Sequence, residues 1–138
     1  MNRSLFDYIA ACPTAYPAVS HTAAILRNAG STELPEHTEW NPEGGKGYFV
    51  TRNGSSLIAF RAPVTGDFSG FMMTAAHGDS PCFKIKENAE MSDGHHLRLS
   101  VEKYGGMLCS SWTDRPLSVA GRVIVRAEGG IATRLVDL

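Results

Sequence analysis

The stretch KGYFVTRNGSSLIAFRAP, from Lys46 to Pro63, marks the point where the chain changes from a helical to an extended pattern. Two runs rich in β-branched and aromatic residues flank the dipeptide Asn53-Gly54. Asparagine and glycine tolerate the positive φ angles that a tight hairpin turn requires. The stretch therefore predicts a β-hairpin at the start of the extended part of the chain.

Two helices are predicted before this hairpin. Ser4 is a candidate N-cap for the first helix, and Pro13 and Pro17 are expected to break the chain after it. The apolar residues at helical spacing in this helix are Leu5, Phe6 and Ile9. The segment SHTAAILRNAG then offers Ser20 as a cap, an apolar face and Gly30 as a stop, which predicts the second helix.

Several strands are predicted after the hairpin. The segment GFMMTAAHGDSPCFKIK, from Gly70 to Lys86, begins with consecutive apolar residues, as a strand buried on both faces does, and ends in alternation. It predicts a central strand that leads into another strand. The segments HHLRLSVEKYGG and AGRVIVRAEGG add two alternating strands, each closed by a glycine pair. Because helices and strands both occur, the fold class is α/β or α+β.

Composition excludes several classes of function. The chain has 138 residues, enough for one domain, and its 13 basic and 14 acidic side chains give a net charge of −1. This balance predicts no nucleic acid partner. Asp7 interrupts the apolar residues near the N-terminus, so a cytoplasmic location without a membrane span is expected. The three cysteines are far apart and predict neither a disulfide framework nor a thiolate zinc site.

The predicted central strand ends in His77, Gly78 and Asp79. In an extended backbone the histidine and the aspartate project to the same side. A carboxylate can accept the imidazole N–H, fix the tautomer and leave the other ring nitrogen as a metal ligand. The alternative is a surface pair, which is the commoner meaning of a single H-x-D. A serine nucleophile at Ser80 is disfavoured because Pro81 and an alternating strand follow, where such a nucleophile needs a helix.

The other polar candidates have simpler interpretations. His95 and His96 are adjacent, so on a strand they would point apart, and after MSDG they are expected in a solvated turn. Asp114 and Arg115 form either a structural ion pair or part of a site.

Four stretches in order and spacing resemble the start of the M18 family of metalloaminopeptidases, the aspartyl aminopeptidase group. They are CPTAYPAV, TRNGSSLIAF, HGDSPCFKIK and VEKYGGMLCSSWTDRPLSVAGRV. The resemblance implies a two-zinc hydrolase that removes the first residue, often an acidic one, from peptides with a free N-terminus, and it implies a homo-oligomer. His77 matches the family's metal ligand and Asp79 its catalytic aspartate beside the metal. Where this chain has Gly78, the family usually has threonine.

The resemblance also implies an architecture. Residues 1–98 would begin a zinc-peptidase-like α/β sandwich, with two N-terminal helices, a β-hairpin and a central strand. Residues 99–138 would begin an inserted, β-rich dimerisation domain, with Tyr104, Trp112 and Asp114 near subunit contacts. Because one histidine cannot complete a zinc site, this chain alone is expected to be an inactive N-terminal portion of the enzyme. The alternative is a non-catalytic assembly or regulatory module with the same fold.

Overall fold

The fold was analysed in a computed structural model, which describes residues 3–66 and 69–138. Helix α1 spans Arg3–Ala11 and helix α2 spans Ala15–Asn28. The strands are β1 (Thr32–Glu33), β2 (Gly47–Arg52), β3 (Ser56–Arg61), β4 (Cys82–Ser92), β5 (Leu97–Tyr104), β6 (Ala120–Ala127) and β7 (Gly130–Asp137), and a short 3-10 helix covers Cys109–Trp112. The mixture of helices and strands confirms the α/β assignment at this level.

The chain divides into two units. The first contains residues up to Asp79 and the segment from Val119 to Leu138, and the second contains Ser80–Ser118. The first unit therefore holds both α-helices, the β1–β2–β3 sheet and the β6–β7 hairpin, whereas the second holds the β4–β5 hairpin and the 3-10 helix. The predicted boundary between residues 98 and 99 lies inside β5, and the dimerisation domain itself stays a prediction.

Both predicted helices form, but α2 begins earlier than predicted. Its N-cap is Thr14, and Ser20, the predicted cap, lies inside the helix. Pro17 was expected to break the chain and instead lies in the first turn of α2. A proline is tolerated there because the first N–H groups of a helix have no intrahelical partner.

The end of α2 agrees with the predicted glycine stop. Gly30 has a φ of 84° and follows the C-cap residue Ala29. The N–H of Gly30 donates to the carbonyl of Arg27 at 3.0 Å, and the N–H of Ser31 donates to the carbonyl of Leu26 at 2.9 Å. This is the Schellman pattern, in which a left-handed residue lets the chain turn back and satisfy the last carbonyls of a helix.

The predicted hairpin is strands β2 and β3. They pair antiparallel from Gly47 opposite Arg61 to Arg52 opposite Ser56, and β1 adds a short parallel pairing to β2. Asn53 and Gly54 have φ angles of 54° and 66°. Both residues of the turn therefore adopt the left-handed conformation for which the dipeptide was singled out.

The core of the first unit lies where α2 contacts this sheet. Phe49 of β2 is fully buried, and the guanidinium of Arg27 from α2 lies over its ring, with Cζ 5.4 Å from the centroid. Apolar burial of this kind is the main stabilising term for a small domain. The other buried apolar residues of this unit are Ala18, Val19, Ala23, Tyr48 and Ala62.

The predicted central strand does not form. Residues 69–79 belong to no strand of the described chain, and Phe71, Met72 and Met73 are exposed. A strand exists only when a neighbour accepts its hydrogen bonds, and β3, which precedes this segment, pairs only with β2 among the described strands. The prediction of a buried strand from this apolar run was therefore wrong for the described chain, in which the run has no partner strand and is exposed.

The remaining strands form two separate hairpins. β4 pairs with β5, with a register shift between Ile85 and Glu90, and β6 pairs with β7. Asn88 lies in this irregular part of β4 and has a φ of 51°. β5 and β6 correspond to the two predicted alternating strands. β7 was not predicted from the sequence.

Candidate functional site

His77 and Asp79 lie next to each other at the end of the first unit. The histidine Nδ1 is 2.8 Å from the backbone carbonyl oxygen of Asp79 and 3.4 Å from its carboxylate Oδ1. The chain bends at Gly78, between the two residues. The predicted proximity of the two residues is therefore present, although the strand from which it was inferred is not.

The contact determines which ring nitrogen of His77 carries the proton. A carbonyl oxygen can only accept, so Nδ1 must be the donor in the 2.8 Å contact. In the neutral imidazole, Nε2 then keeps its lone pair and is available as a metal ligand. The sequence predicted the carboxylate as the acceptor, but the backbone carbonyl of Asp79 is the nearer one and the carboxylate lies beside it.

This pair is open to solvent and is not a complete metal site. The His77 side chain is 82% exposed and that of Asp79 is 35% exposed. Within residues 3–66 and 69–138, no group of three or more His, Cys, Asp or Glu residues could hold a metal ion. A catalytic zinc needs about three protein ligands. The donors described here fit one ligand and its orienting partner, and do not fit a whole zinc site.

The predicted solvated turn at His95 and His96 connects β4 to β5. Asp93 stabilises this turn. Its Oδ1 accepts the backbone N–H of His95 at 3.0 Å and that of His96 at 2.8 Å. These two hydrogen bonds hold the pKa of the Asp93 carboxyl below its ordinary value of 3.8. Oδ2 also contacts Nη2 of Arg98 at 3.2 Å. The turn is stabilised by this carboxylate, and its histidines are exposed.

The remaining candidate site residues make contacts that are typical of structural residues. Arg115 Nε donates to Asp114 Oδ1 at 2.9 Å, and both side chains are exposed, which favours the ion-pair interpretation. Trp112 packs edge-on against Phe83, with ring centroids 5.3 Å apart. No helix follows Ser80, because β4 begins at Cys82. That order contradicts the helix start that a serine nucleophile of the esterase type requires.

A cavity of about 590 Å³, not predicted from the sequence, lies between the end of α2 and strands β2 and β3. It is lined by Leu26, Gly47, Arg61 and their neighbours, and its lining includes no His, Cys, Asp or Glu. A Cβ on Gly47 would lie 2.8 Å from Ser31 Oγ, so glycine permits the close approach of β2 and the segment that follows α2. Lys46, at its rim, has a raised pKa because it donates a hydrogen bond to Glu43. The cavity lacks the residue types of a metal site.

Among the described residues, no helix is both long enough and apolar enough to cross a lipid bilayer.

Comparison with known proteins gives consistent matches over almost the whole chain. The sequence model of the Aminopeptidase I zinc metalloprotease (M18) family matches residues 8–138. A probable M18 family aminopeptidase 2 from Pseudomonas paraeruginosa (strain DSM 24068 / PA7) is 46% identical over 138 residues, which are 99% of this chain and 32% of that relative. A protein of the same name from Pseudomonas putida is 40% identical over 138 residues, again 32% of its length. The chain spans about a third of these curated relatives.

Solved structures give the same result. The mApe1 structure from Chaetomium thermophilum is 34% identical to this chain, with a TM-score of 0.88 over 99% of this chain and 32% of that one. The mApe1 dodecamer from S. cerevisiae is 26% identical, with a TM-score of 0.78 over 98% of this chain and 32% of that one. The backbone described above is thus similar to the corresponding third of these proteins.

Proposed function

The chain belongs to the M18 family of zinc aminopeptidases, and from this premise we propose that it is the N-terminal portion of a two-zinc enzyme that removes the first residue from peptides. The observation that supports the proposal is the contact between His77 Nδ1 and the carbonyl of Asp79, which keeps the Nε2 lone pair of the neutral imidazole open to a metal. An acidic first residue is the proposed preference, and the cytoplasm is the proposed location.

The proposed roles of the two residues differ. His77 supplies one metal ligand, and Asp79 is the catalytic aspartate beside the metal: its backbone carbonyl accepts the Nδ1–H and its carboxylate Oδ1 lies 3.4 Å from Nδ1. When bound, zinc supplies a Lewis acid that lowers the pKa of a bound water and polarises the scissile carbonyl. The further ligands and the general base would come from residues that this chain does not contain, so the chain alone is proposed to be inactive.

In this proposal, the protein has the fold and the homo-oligomeric state of M18 enzymes. The α/β units described above would begin the zinc-peptidase-like sandwich, and the residues from Leu99 onward would begin the inserted dimerisation domain. The protein would form a homo-oligomer, as the dodecameric S. cerevisiae relative does.

The test measures zinc content and aminopeptidase activity in the full-length protein. Wild-type protein is expected to hold two zinc ions per chain and to release N-terminal residues from short peptides, with Asp- and Glu-peptides compared with Ala-peptides. His77→Ala is expected to lose one ion and to keep less than about 1% of the rate, since losing a ligand exceeds the roughly 10- to 100-fold effect of losing a residue that only orients a ligand. Asp79→Asn is expected to lower the rate by a factor within that range of about 10 to 100.

The matched control is His95→Ala, which removes an exposed histidine from the turn after Asp93 and is expected to leave both readouts unchanged. A His77→Ala enzyme with full activity and two zinc ions would refute the ligand assignment. A wild-type protein with neither zinc nor peptidase activity would favour the non-catalytic assembly module. The 138-residue chain alone is expected to retain almost no zinc after dialysis, because it offers one ligand.

A further inference from the structure

Residues 70–76 lead directly to His77 and are almost entirely apolar. Their sequence, GFMMTAA, contains no Asp, Glu, Lys or Arg. In the described chain they form no strand, and Met72 and Met73 are 105% and 85% exposed. Apolar side chains left in water forfeit the main stabilising term of folding, and a contiguous exposed apolar patch marks a contact surface. The segment therefore has the chemistry of a surface that packs against another part of a protein.

The order of the apolar residues indicates burial on two sides. In an extended chain, Phe71 and Met73 lie on the face that also carries His77, whereas Met72 lies on the opposite face. Burial of one face alone would leave one of the two methionines in water. Consecutive apolar residues therefore suit a strand that is buried on both faces. Within the described range 69–79 no residue has a positive φ, so the backbone can extend from ordinary conformations.

The part of the protein that lies outside this chain is available to bury the segment. Residues 69–78 are exposed in the described chain, which spans 32% of the Pseudomonas paraeruginosa relative. In the proposed function, the further zinc ligands also come from that outside part. Ligands of one zinc ion lie within a few ångströms of one another, so residues of that part must approach His77 at the end of the segment. Because they belong to the same chain, their effective concentration at this surface is high.

We propose that residues 70–76 form a strand in the full-length protein and that residues following Leu138 bury both of its faces. The occupant of this surface is the protein's own C-terminal part, and His77 lies at the end of the strand that this part encloses. The inference rests on the proposed function, in which the chain is the N-terminal portion of a longer enzyme. It adds the surface on which the two portions meet.

Methionine oxidation tests the burial of each face separately. Hydrogen peroxide transfers one oxygen atom to the thioether sulfur and leaves as water, so the reagent must reach the side chain. In the native full-length protein, Met72 and Met73 are each expected to react at least about tenfold more slowly than in the same protein unfolded in urea, because reaction then requires local opening. Fragment-ion mass spectrometry assigns the sulfoxide to each methionine, and hydrogen exchange at residues 71–76 reports the strand.

Substitution at one face can be read at the other. Met73→Asn places a polar side chain on the face of His77 and is expected to raise the oxidation rate of Met72 toward its unfolded value, because burying an amide without partners opens the segment. Met73→Leu is the matched control, since it keeps the apolar volume and is expected to leave Met72 protected. Met72→Asn and Met72→Leu make the same comparison from the opposite face, with Met73 as the reporter.

The outcomes separate this inference from its alternatives. Oxidation of both methionines at the unfolded rate, or rapid exchange at residues 71–76, would overturn the buried strand. Slow oxidation of one methionine alone would overturn burial on both faces. Protection that falls as the protein is diluted would assign the contact to a second copy and overturn the proposed occupant.

Zinc content and peptidase activity of the same sample report separately on the proposed function. An active, zinc-loaded enzyme with unprotected methionines would overturn the buried strand alone. A protein with protected methionines but neither zinc nor peptidase activity would overturn the proposed function alone.

Discussion

Arg122 lies over the ring of Tyr16, with its guanidinium Cζ 4.2 Å from the ring centroid. Its Nη1 also donates a hydrogen bond to the carbonyl oxygen of Asn53 at 2.9 Å. One side chain of β6 thereby contacts α2 and the turn between β2 and β3. The contact joins the last hairpin of the first unit to its helix and sheet, across a wide separation in sequence.

We expect Arg122→Met to lower the free energy of unfolding by about 1 to 2 kcal/mol, the combined size of an exposed cation–π contact and one hydrogen bond. Methionine keeps much of the apolar length of arginine and removes both interactions. Urea denaturation measures the change, and Tyr16→Leu in a double-mutant cycle isolates the cation–π part.

The control is Arg126→Met on the same strand, because the structure describes no ion pair or ring contact of Arg126 in residues 3–66 and 69–138. It is expected to change stability by less than about 0.5 kcal/mol, as surface substitutions usually do. Equal effects of the two substitutions would contradict the bridging role of Arg122.

The sequence predicted features that depend on local chemistry. Asn53 and Gly54 were expected to adopt positive φ angles, and Gly30 was expected to end α2, because few other residues tolerate that conformation. Both predictions are confirmed. The predicted start of α2 was wrong. Ser20 has the chemistry of a cap and Pro17 that of a helix break, and the local sequence does not show that Pro17 lies in the first turn.

Features that depend on distant partners were not predictable in the same way. The apolar segment at Phe71 and Met72 reads as a buried strand, but a strand needs a neighbour that the local sequence does not identify. The approach of His77 to Asp79 was predicted from strand periodicity. Which Asp79 oxygen is nearer depends on the bend at Gly78, and alternation alone carries no such information.

The turn at Asp93 should be sensitive to acid. The pKa of Asp93 is lowered by the N–H groups of His95 and His96, so the ionised carboxylate stabilises the folded turn. A carboxyl with a depressed pKa contributes its full stabilisation above its unfolded value, and this contribution is lost as the pH falls through the folded pKa. We expect the backbone amides of His95 and His96 to lose hydrogen-exchange protection as the pH is lowered through the ordinary aspartate pKa of 3.8 and below it, since the pKa of Asp93 in the folded turn is lower than that value.

Asp93→Asn tests this dependence. The amide oxygen can still accept the two N–H groups but carries no charge. The exchange protection of the His95 and His96 amides should therefore be lower than in wild type at pH 6, and it should lose the pH dependence that the Asp93 carboxyl causes. Asp114→Asn, at the exposed pair with Arg115, is the control and should retain the wild-type pH profile. An unchanged profile in Asp93→Asn would show that another group controls the turn.

Gly78 provides a final prediction, because it lies between the two residues of the candidate site. A Cβ built there meets no atom within 4 Å, and the φ of Gly78 is outside the positive range that disfavours other residues. Gly78→Ala and Gly78→Thr are therefore expected to be accommodated and to raise the free energy of unfolding by about 0.4 to 1 kcal/mol, since they restrict the unfolded chain. Urea denaturation again provides the measurement.

Gly54→Ala is the matched control, because a Cβ there also meets open space but the φ is 66°. This substitution is expected to cost about 1 to 2 kcal/mol, the penalty for a side chain in the left-handed region. Both positions have room for a Cβ, so the backbone conformation alone explains why the stability is expected to rise at Gly78 and to fall at Gly54. A loss of stability at Gly78 as large as that at Gly54 would mean that the bend beside His77 requires glycine, and that the threonine usual in the family would need a different backbone in this chain.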